Sequence, residues 1–86
     1  MTKREKREQV MRRNPAQVRF EQLHDLLVVA GFTYNIRGSH YHYEHTRQTN
    51  IHCTVVKPHG SLKHVLPVYV KEALVALDES REQSAE

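Results

Sequence analysis

Two short segments of alternating side chains, FTYNIR at 32–37 and HYHYEH at 40–45, flank a glycine-serine pair. Alternation with a period of two is typical of a strand with one buried face. Glycine followed by serine is a turn signal. The pattern predicts an antiparallel hairpin that turns at Gly38 and Ser39. The second strand then has tyrosines on one face and polar side chains on the other: Tyr41 and Tyr43; His40, His42 and Glu44.

A helix is predicted before the hairpin, over residues 16–30. Its apolar residues are spaced three and four apart, which places them on one stripe of a helix: Phe20, Leu23, Leu27 and Ala30. Gly31 is expected to end this helix, as a glycine just past a helix commonly does. The start is expected between Pro15 and Phe20, with Asn14 as a cap.

A third strand and a last helix are predicted after the hairpin. IHCTVV at 51–56 is rich in β-branched residues, which favour strands. A basic loop at 57–66 follows, and Pro67 can open a helix. The apolar stripe of that helix consists of Val70, Ala73, Leu74 and Leu77.

The predicted order is α-β-β-β-α, which indicates an α+β fold. Short connections favour an antiparallel meander of three strands. Two helices with apolar stripes are covered most economically on one face of that sheet, which makes a two-layer sandwich. If the tyrosines of the second strand face the helices, His40, His42 and Glu44 face outward. Residues 1–18 are expected to form a basic extension or an extra N-terminal helix, residues 19–80 the main domain, and residues 81–86 a polar tail.

Composition limits the classes of function. The chain of 86 residues has a formal net charge of +3 with neutral histidines and a pI of about 9.2, a balance that favours polyanions such as nucleic acid, or that is only a solvated basic surface. Cys53 is the only cysteine, so neither an intrachain disulfide nor a cysteine-based zinc site is expected. No apolar run reaches the length of a membrane span, and the first residues do not read as a secretory signal. A cytoplasmic location without membrane partners is therefore expected.

The paired histidines of the second strand are the strongest candidates for chemistry. An imidazole can accept a proton and later donate it near neutral pH. Arg37 is nearby, and the flanking loop carries Lys57, Lys63 and His64. In that setting a histidine of this strand could deprotonate an RNA 2′-hydroxyl without a metal or other cofactor. The same imidazoles, joined by His52 or Glu44, could instead hold zinc.

Four segments together resemble the HicA toxins of bacterial toxin-antitoxin modules. They are FEQLHDLLVVAGF, RGSHYHYEH, TVVKPHG and VYVKEALVAL, and the resemblance runs from about Arg19 to Asp78. Its specific core is a helix ending in Gly-Phe, a strand, and then Gly38, Ser39 and His40. Many HicA toxins have a second histidine directly after the first, whereas this chain has Tyr41 there and its next histidine at His42.

The resemblance implies a fold similar to a double-stranded-RNA-binding domain and a metal-independent endoribonuclease, an mRNA interferase that arrests growth. It implies His40 as the catalytic residue and a HicB-type antitoxin that covers the site. His59, in the segment KPHG, and His42 are secondary catalytic candidates. The RNA-binding candidates are Arg37, Gly38, Ser39, Lys57 and Lys63. Two other functions stay open from the residues themselves, a non-catalytic RNA-binding module and a metal-binding histidine cluster.

Overall fold

The computed structural model describes residues 2–84. These residues form three α-helices, one 3-10 turn and three strands. In chain order they are α1 (Lys3–Arg13), the 3-10 turn (Pro15–Gln17), α2 (Phe20–Val29), β1 (Phe32–Arg37), β2 (His40–His45), β3 (His52–Val56) and α3 (Pro67–Ser84). The predicted order α-β-β-β-α, with an extra N-terminal helix, is confirmed.

The three strands form an antiparallel meander in the order β1-β2-β3. In β1 and β2, Tyr34 lies opposite Tyr43 and Arg37 opposite His40. Gly38, in the turn between them, has a φ of +60°, a conformation that glycine adopts without steric cost. Directly opposite residues share a face of an antiparallel sheet, so this register fixes the composition of both faces.

The helices pack on the face of the sheet that carries the tyrosines, and the core lies between the two layers. The sheet contributes buried Tyr43 and Val55 to this core, and helices α2 and α3 contribute Leu27 and Leu77. The two-layer α+β sandwich predicted from the apolar stripes is therefore confirmed. None of the helices within residues 2–84 is long and apolar enough to cross a membrane.

The basic N-terminal helix α1 is fastened to the end of the domain. Met11 is buried in the core, and two ion pairs of 2.8 Å join α1 to α3, Arg12 to Asp78 and Arg81 to Glu8. The hydrogen bond from Arg81, assisted by one from Arg12, lowers the pKa of Glu8 although partial burial opposes this. Helix α1 thus packs on the same core as the rest of the described residues.

Two expectations about the ends of helices differ from the structure. Asn14 precedes the 3-10 turn rather than α2, because Val18 is extended and buried and its carbonyl accepts a hydrogen bond of 2.9 Å from the Val65 N–H. The expected polar tail at 81–86 begins as helix, because α3 continues to Ser84 and Arg81 pairs with Glu8; residues 85 and 86 lie outside the described residues.

Strand β1 is less covered than its alternating sequence predicts. Phe32 is buried, but Tyr34 and Ile36 on the same face are 44% and 52% exposed. β1 is an edge strand, and the helices cover its beginning rather than its end. An open apolar surface therefore remains on the helix side of the hairpin.

Candidate active site on the outer face of the sheet

The face of the sheet that points away from the helices carries the predicted histidines, and we call it the outer face. Its side chains follow from the register of the strands: Thr33, Asn35 and Arg37; His40, His42 and Glu44; His52, Thr54 and Val56. The three residues of β2 in this set are exposed. The sequence prediction that they face outward is confirmed.

His40 is the first residue of β2 and lies at the hairpin end of the outer face. Arg37 lies directly opposite it on β1. The backbone N–H of Lys57 donates a hydrogen bond of 2.7 Å to the carbonyl of Ser39, which holds the turn against the end of β3. His40 thus has a fixed backbone, an exposed imidazole and a cation on the neighbouring strand.

His42 is the second imidazole of this face. Its ring centroid lies 6.3 Å from that of His40, with the rings inclined by 30°. Its Nδ1 lies 3.1 Å from the Thr54 hydroxyl oxygen, a hydrogen bond that orients the ring. A shallow concavity of about 550 Å³ lies beside it, lined by Asn35, Ile36, Arg37 and His42. His42 and Arg37 therefore line an open depression, and the His40 ring lies next to that of His42.

The structure does not bring every predicted site residue to this face. Lys57 has its ammonium 5.5 Å from the centroid of the Phe20 ring, on the helix side of the sheet. His59 and Lys63 are exposed in the loop that follows β3. Within residues 2–84, no hydrogen bond, ion pair or ring contact joins either of them to His40. The loop sequence does not indicate which way its side chains point, since its apolar residues do not recur at the regular spacing of a strand or a helix.

The histidine at the other end of β2 has a structural role. His45 is only 7% exposed. Its Nε2 lies 3.2 Å from the Ala30 carbonyl, and its Nδ1 accepts backbone hydrogen bonds, each of 3.2 Å, from Arg47 and Gln48. The neutral ring with the proton on Nε2 satisfies all three bonds. His45 therefore connects the end of α2 to the loop after β2.

A cluster of aromatic rings on the helix side was not predicted. His24 is half-buried, and its Nδ1 lies 2.7 Å from the hydroxyl of buried Tyr43. Burial raises the pKa of Tyr43 above its ordinary value, so its hydroxyl stays protonated, and it donates to His24 when Nδ1 of that ring carries no proton. His24 is four residues after Phe20, and that spacing on a helix is the signal that could have placed it beside the apolar stripe.

Metal ligation requires more side chains than this face brings together. Across residues 2–84, no three histidine, cysteine, aspartate or glutamate side chains form a group that could hold a metal ion. His52 lies opposite Glu44 at the far end of the face from His40. The zinc hypothesis therefore lacks a complete set of ligands in the described part of the chain.

The geometry of the outer face suits proton transfer at an anionic ester. Two imidazoles can each hold or release a proton, and Arg37 can neutralise charge that develops on phosphate. Comparison of the chain with protein-family models, with curated proteins and with solved structures finds no match in any of the three.

Proposed function

We propose that this chain is a HicA-type toxin of a type II toxin-antitoxin system. It acts as a metal-independent endoribonuclease that cleaves mRNA and arrests growth. The observation that carries the proposal is the placement of His40, exposed at the hairpin end of the outer face with Arg37 directly opposite. The sequence resemblance centred on Gly38, Ser39 and His40 supports the choice of RNA as substrate.

The reaction needs one group to take a proton and another to supply one. The base removes the proton of a 2′-hydroxyl, whose oxygen attacks the adjacent phosphorus. The bond from phosphorus to the 5′-oxygen breaks, and the acid protonates that leaving oxygen. The products are a 2′,3′-cyclic phosphate and a 5′-hydroxyl, and neither a metal nor a cofactor enters the step.

His42 is the better supported partner of His40 in this reaction. The ring centroids are 6.3 Å apart on one face, so a phosphate between the rings could be in hydrogen-bonding reach of both. His59 has no comparable contact with His40. Arg37 stabilises the charge on phosphate, and the turn at Gly38 and Ser39 allows the RNA backbone to approach closely.

The same face is the surface that a HicB-type antitoxin would cover. It is open and carries the proposed catalytic groups, so a bound partner would exclude RNA. Both partners, mRNA and antitoxin, act in the cytoplasm, where we place this protein.

RNA cleavage in EDTA by the purified protein tests the proposal. We expect wild type to cleave an unstructured RNA and His40→Ala to lose at least a hundredfold in rate, the effect of removing an acid-base group. His52→Ala is the matched control, because His52 is also an exposed outer-face histidine but lies at the far end of the face. Equal loss in both variants, or cleavage that EDTA abolishes, would refute the assignment.

The main alternative is an RNA-binding module without catalysis. It is favoured by the cation over an aromatic ring on the helix side, Lys57 over Phe20. Under this alternative, RNA binds and no cyclic phosphate forms with any of the variants. The pH profile separates the two functions as well, because paired imidazoles predict a bell-shaped dependence of the cleavage rate.

A further inference from the structure

We propose that the exposed aromatic surface on the helix side of the hairpin binds an unpaired RNA base, and so selects single-stranded over duplex RNA. We call this surface the aromatic shelf and define it by Tyr34, Ile36 and Tyr41, backed by Phe20 and His24. The inference rests on the proposed function for the choice of RNA as ligand. It adds a second contact region on the face of the sheet opposite to His40.

The shelf is apolar, open and held in place by its neighbours. Tyr34 is 44% exposed and Ile36 is 52% exposed. The His24 ring meets the Tyr34 ring edge-on at 4.6 Å, and the Tyr41 ring lies 5.9 Å from Tyr34 at an angle of 26°. Tyr34 is therefore supported from the helix and from β2 while much of its surface remains accessible.

The His24 ring is itself held in place by a contact with the core. Its Nδ1 lies 2.7 Å from the Tyr43 hydroxyl, and the buried Tyr43 ring cannot move without disturbing the core. Phe20 packs edge-on against Tyr41 at 4.6 Å. A ring that is ordered before binding loses little conformational freedom on contact with a base, so the shelf is preorganised for stacking.

Positive charge at the hairpin end, next to the shelf, favours a nucleic acid over an apolar protein segment. Lys57 lies above the Phe20 ring at 5.5 Å. Arg37 follows Ile36 at the end of β1, with its side chain on the outer face. The exposed carboxylates of α2, Glu21 and Asp25, oppose phosphate on the helix itself. We therefore expect the RNA backbone to follow the hairpin end, past Lys57 and Arg37.

This path connects the shelf to the proposed catalytic face. The hairpin turn has two residues, Gly38 and Ser39, and the shelf and His40 lie on opposite sides of it. A single strand can pass over so narrow an edge, with one base stacked on Tyr34 and a nearby phosphate at His40. A duplex keeps its bases stacked inside and offers none to Tyr34.

The test measures binding separately from cleavage. Wild type is titrated into a fluorescently labelled, unstructured 2′-O-methyl RNA, which retains its bases but lacks the nucleophilic hydroxyl. We expect Tyr34→Ser to weaken binding at least tenfold, a loss typical of one stacked base. Tyr34→Phe keeps a stacking ring and should stay within twofold. Val75→Ser is the matched control, because Val75 is 56% exposed on α3 and lies outside the shelf.

A duplex of the same sequence should bind wild type more weakly than the single strand, and Tyr34→Ser should remove that preference. Equal binding by wild type and Tyr34→Ser, an equal loss in Val75→Ser, or no binding at all would overturn the inference. Cleavage dependent on His40 but indifferent to Tyr34 would leave the proposed function intact and reject the shelf. Binding that depends on Tyr34 without any RNA cleavage by wild type would support the shelf and reject the proposed nuclease function.

Discussion

The two ends of β2 carry the same residue type in opposite surroundings. His45 is buried and makes three hydrogen bonds to backbone atoms, whereas His40 is exposed on the outer face. The two histidines are five positions apart, an odd number, so they lie on opposite faces, because successive strand residues alternate. The comparison teaches that the face on which a strand histidine lies decides its role. A histidine on the buried face stabilises the fold, and one on the exposed face is accessible for chemistry.

The largest expected effect is on the reactivity of Cys53, which is buried opposite Tyr43 on the helix side of the sheet. Burial raises the pKa of its thiol to about 12 from an ordinary value of 9.0, which lowers the thiolate fraction at pH 8 about a thousandfold. We expect alkylation at pH 8 to be at least a hundredfold slower in the folded protein than in urea. Alkylation at equal rates would contradict this burial. Because the unfolded thiol ionises first, this group should reduce stability progressively as the pH rises above about 9.

His45→Ala should cost about 2–4 kcal/mol of unfolding free energy, because it creates a cavity and removes three partly buried hydrogen bonds to backbone atoms. His40→Ala, at the exposed end of the same strand, should change it by less than about 0.5 kcal/mol. Urea unfolding measures both. Similar costs in the two variants would show that the division of β2 by face is wrong.

Gly31→Ala tests the close packing of the His45 ring against Gly31. Gly31 has a φ of +102°, and an added Cβ would lie 3.1 Å from Nε2 of His45. We expect a loss of about 1–3 kcal/mol. Gly60→Ala is the control, since Gly60 has a φ of +71° and no atom within 4 Å of an added Cβ, so backbone strain is its main cost. In a double-mutant cycle, His45→Ala should relieve part of the Gly31→Ala penalty; strict additivity would argue against a steric contact.

Tyr43→Phe should cost about 1 kcal/mol of unfolding free energy, less than His45→Ala, because it removes the hydrogen bond to His24 and keeps the ring. Tyr69→Phe is the control, since within the described residues the Tyr69 hydroxyl makes no hydrogen bond. Thermal unfolding compares them, and equal melting temperatures would show that the bond to His24 contributes nothing to stability.

Much of the fold could be predicted because its signals are local and periodic. The stripe from Phe20 to Ala30, the positive φ at Gly31 and the alternation in β2 each depend on neighbours in sequence. The outward placement of His40 and His42 followed from the same alternation. Their distance of 6.3 Å then follows from two residues of strand.

Other features of the site depend on contacts between distant segments, and the sequence did not reveal them. Lys57 was expected beside His40, but its side chain reaches Phe20 of α2. His24 and Tyr43 are 19 residues apart, and no periodicity indicates their hydrogen bond. The exposure of Tyr34 and Ile36 results from how far the helices extend over the edge strand.

By itself, the sequence determined the order of the elements, the two faces of β2 and the outward placement of His40, because each depends on backbone geometry over a few residues. Tertiary structure decided that α1 joins the core through Met11 and pairs with α3 through Glu8 and Arg12, and that His45 is buried. It also left the aromatic shelf uncovered. These outcomes depend on which parts of the sheet the packed helices cover. That coverage is set by contacts between segments that are distant in sequence, so it cannot be read from local patterns.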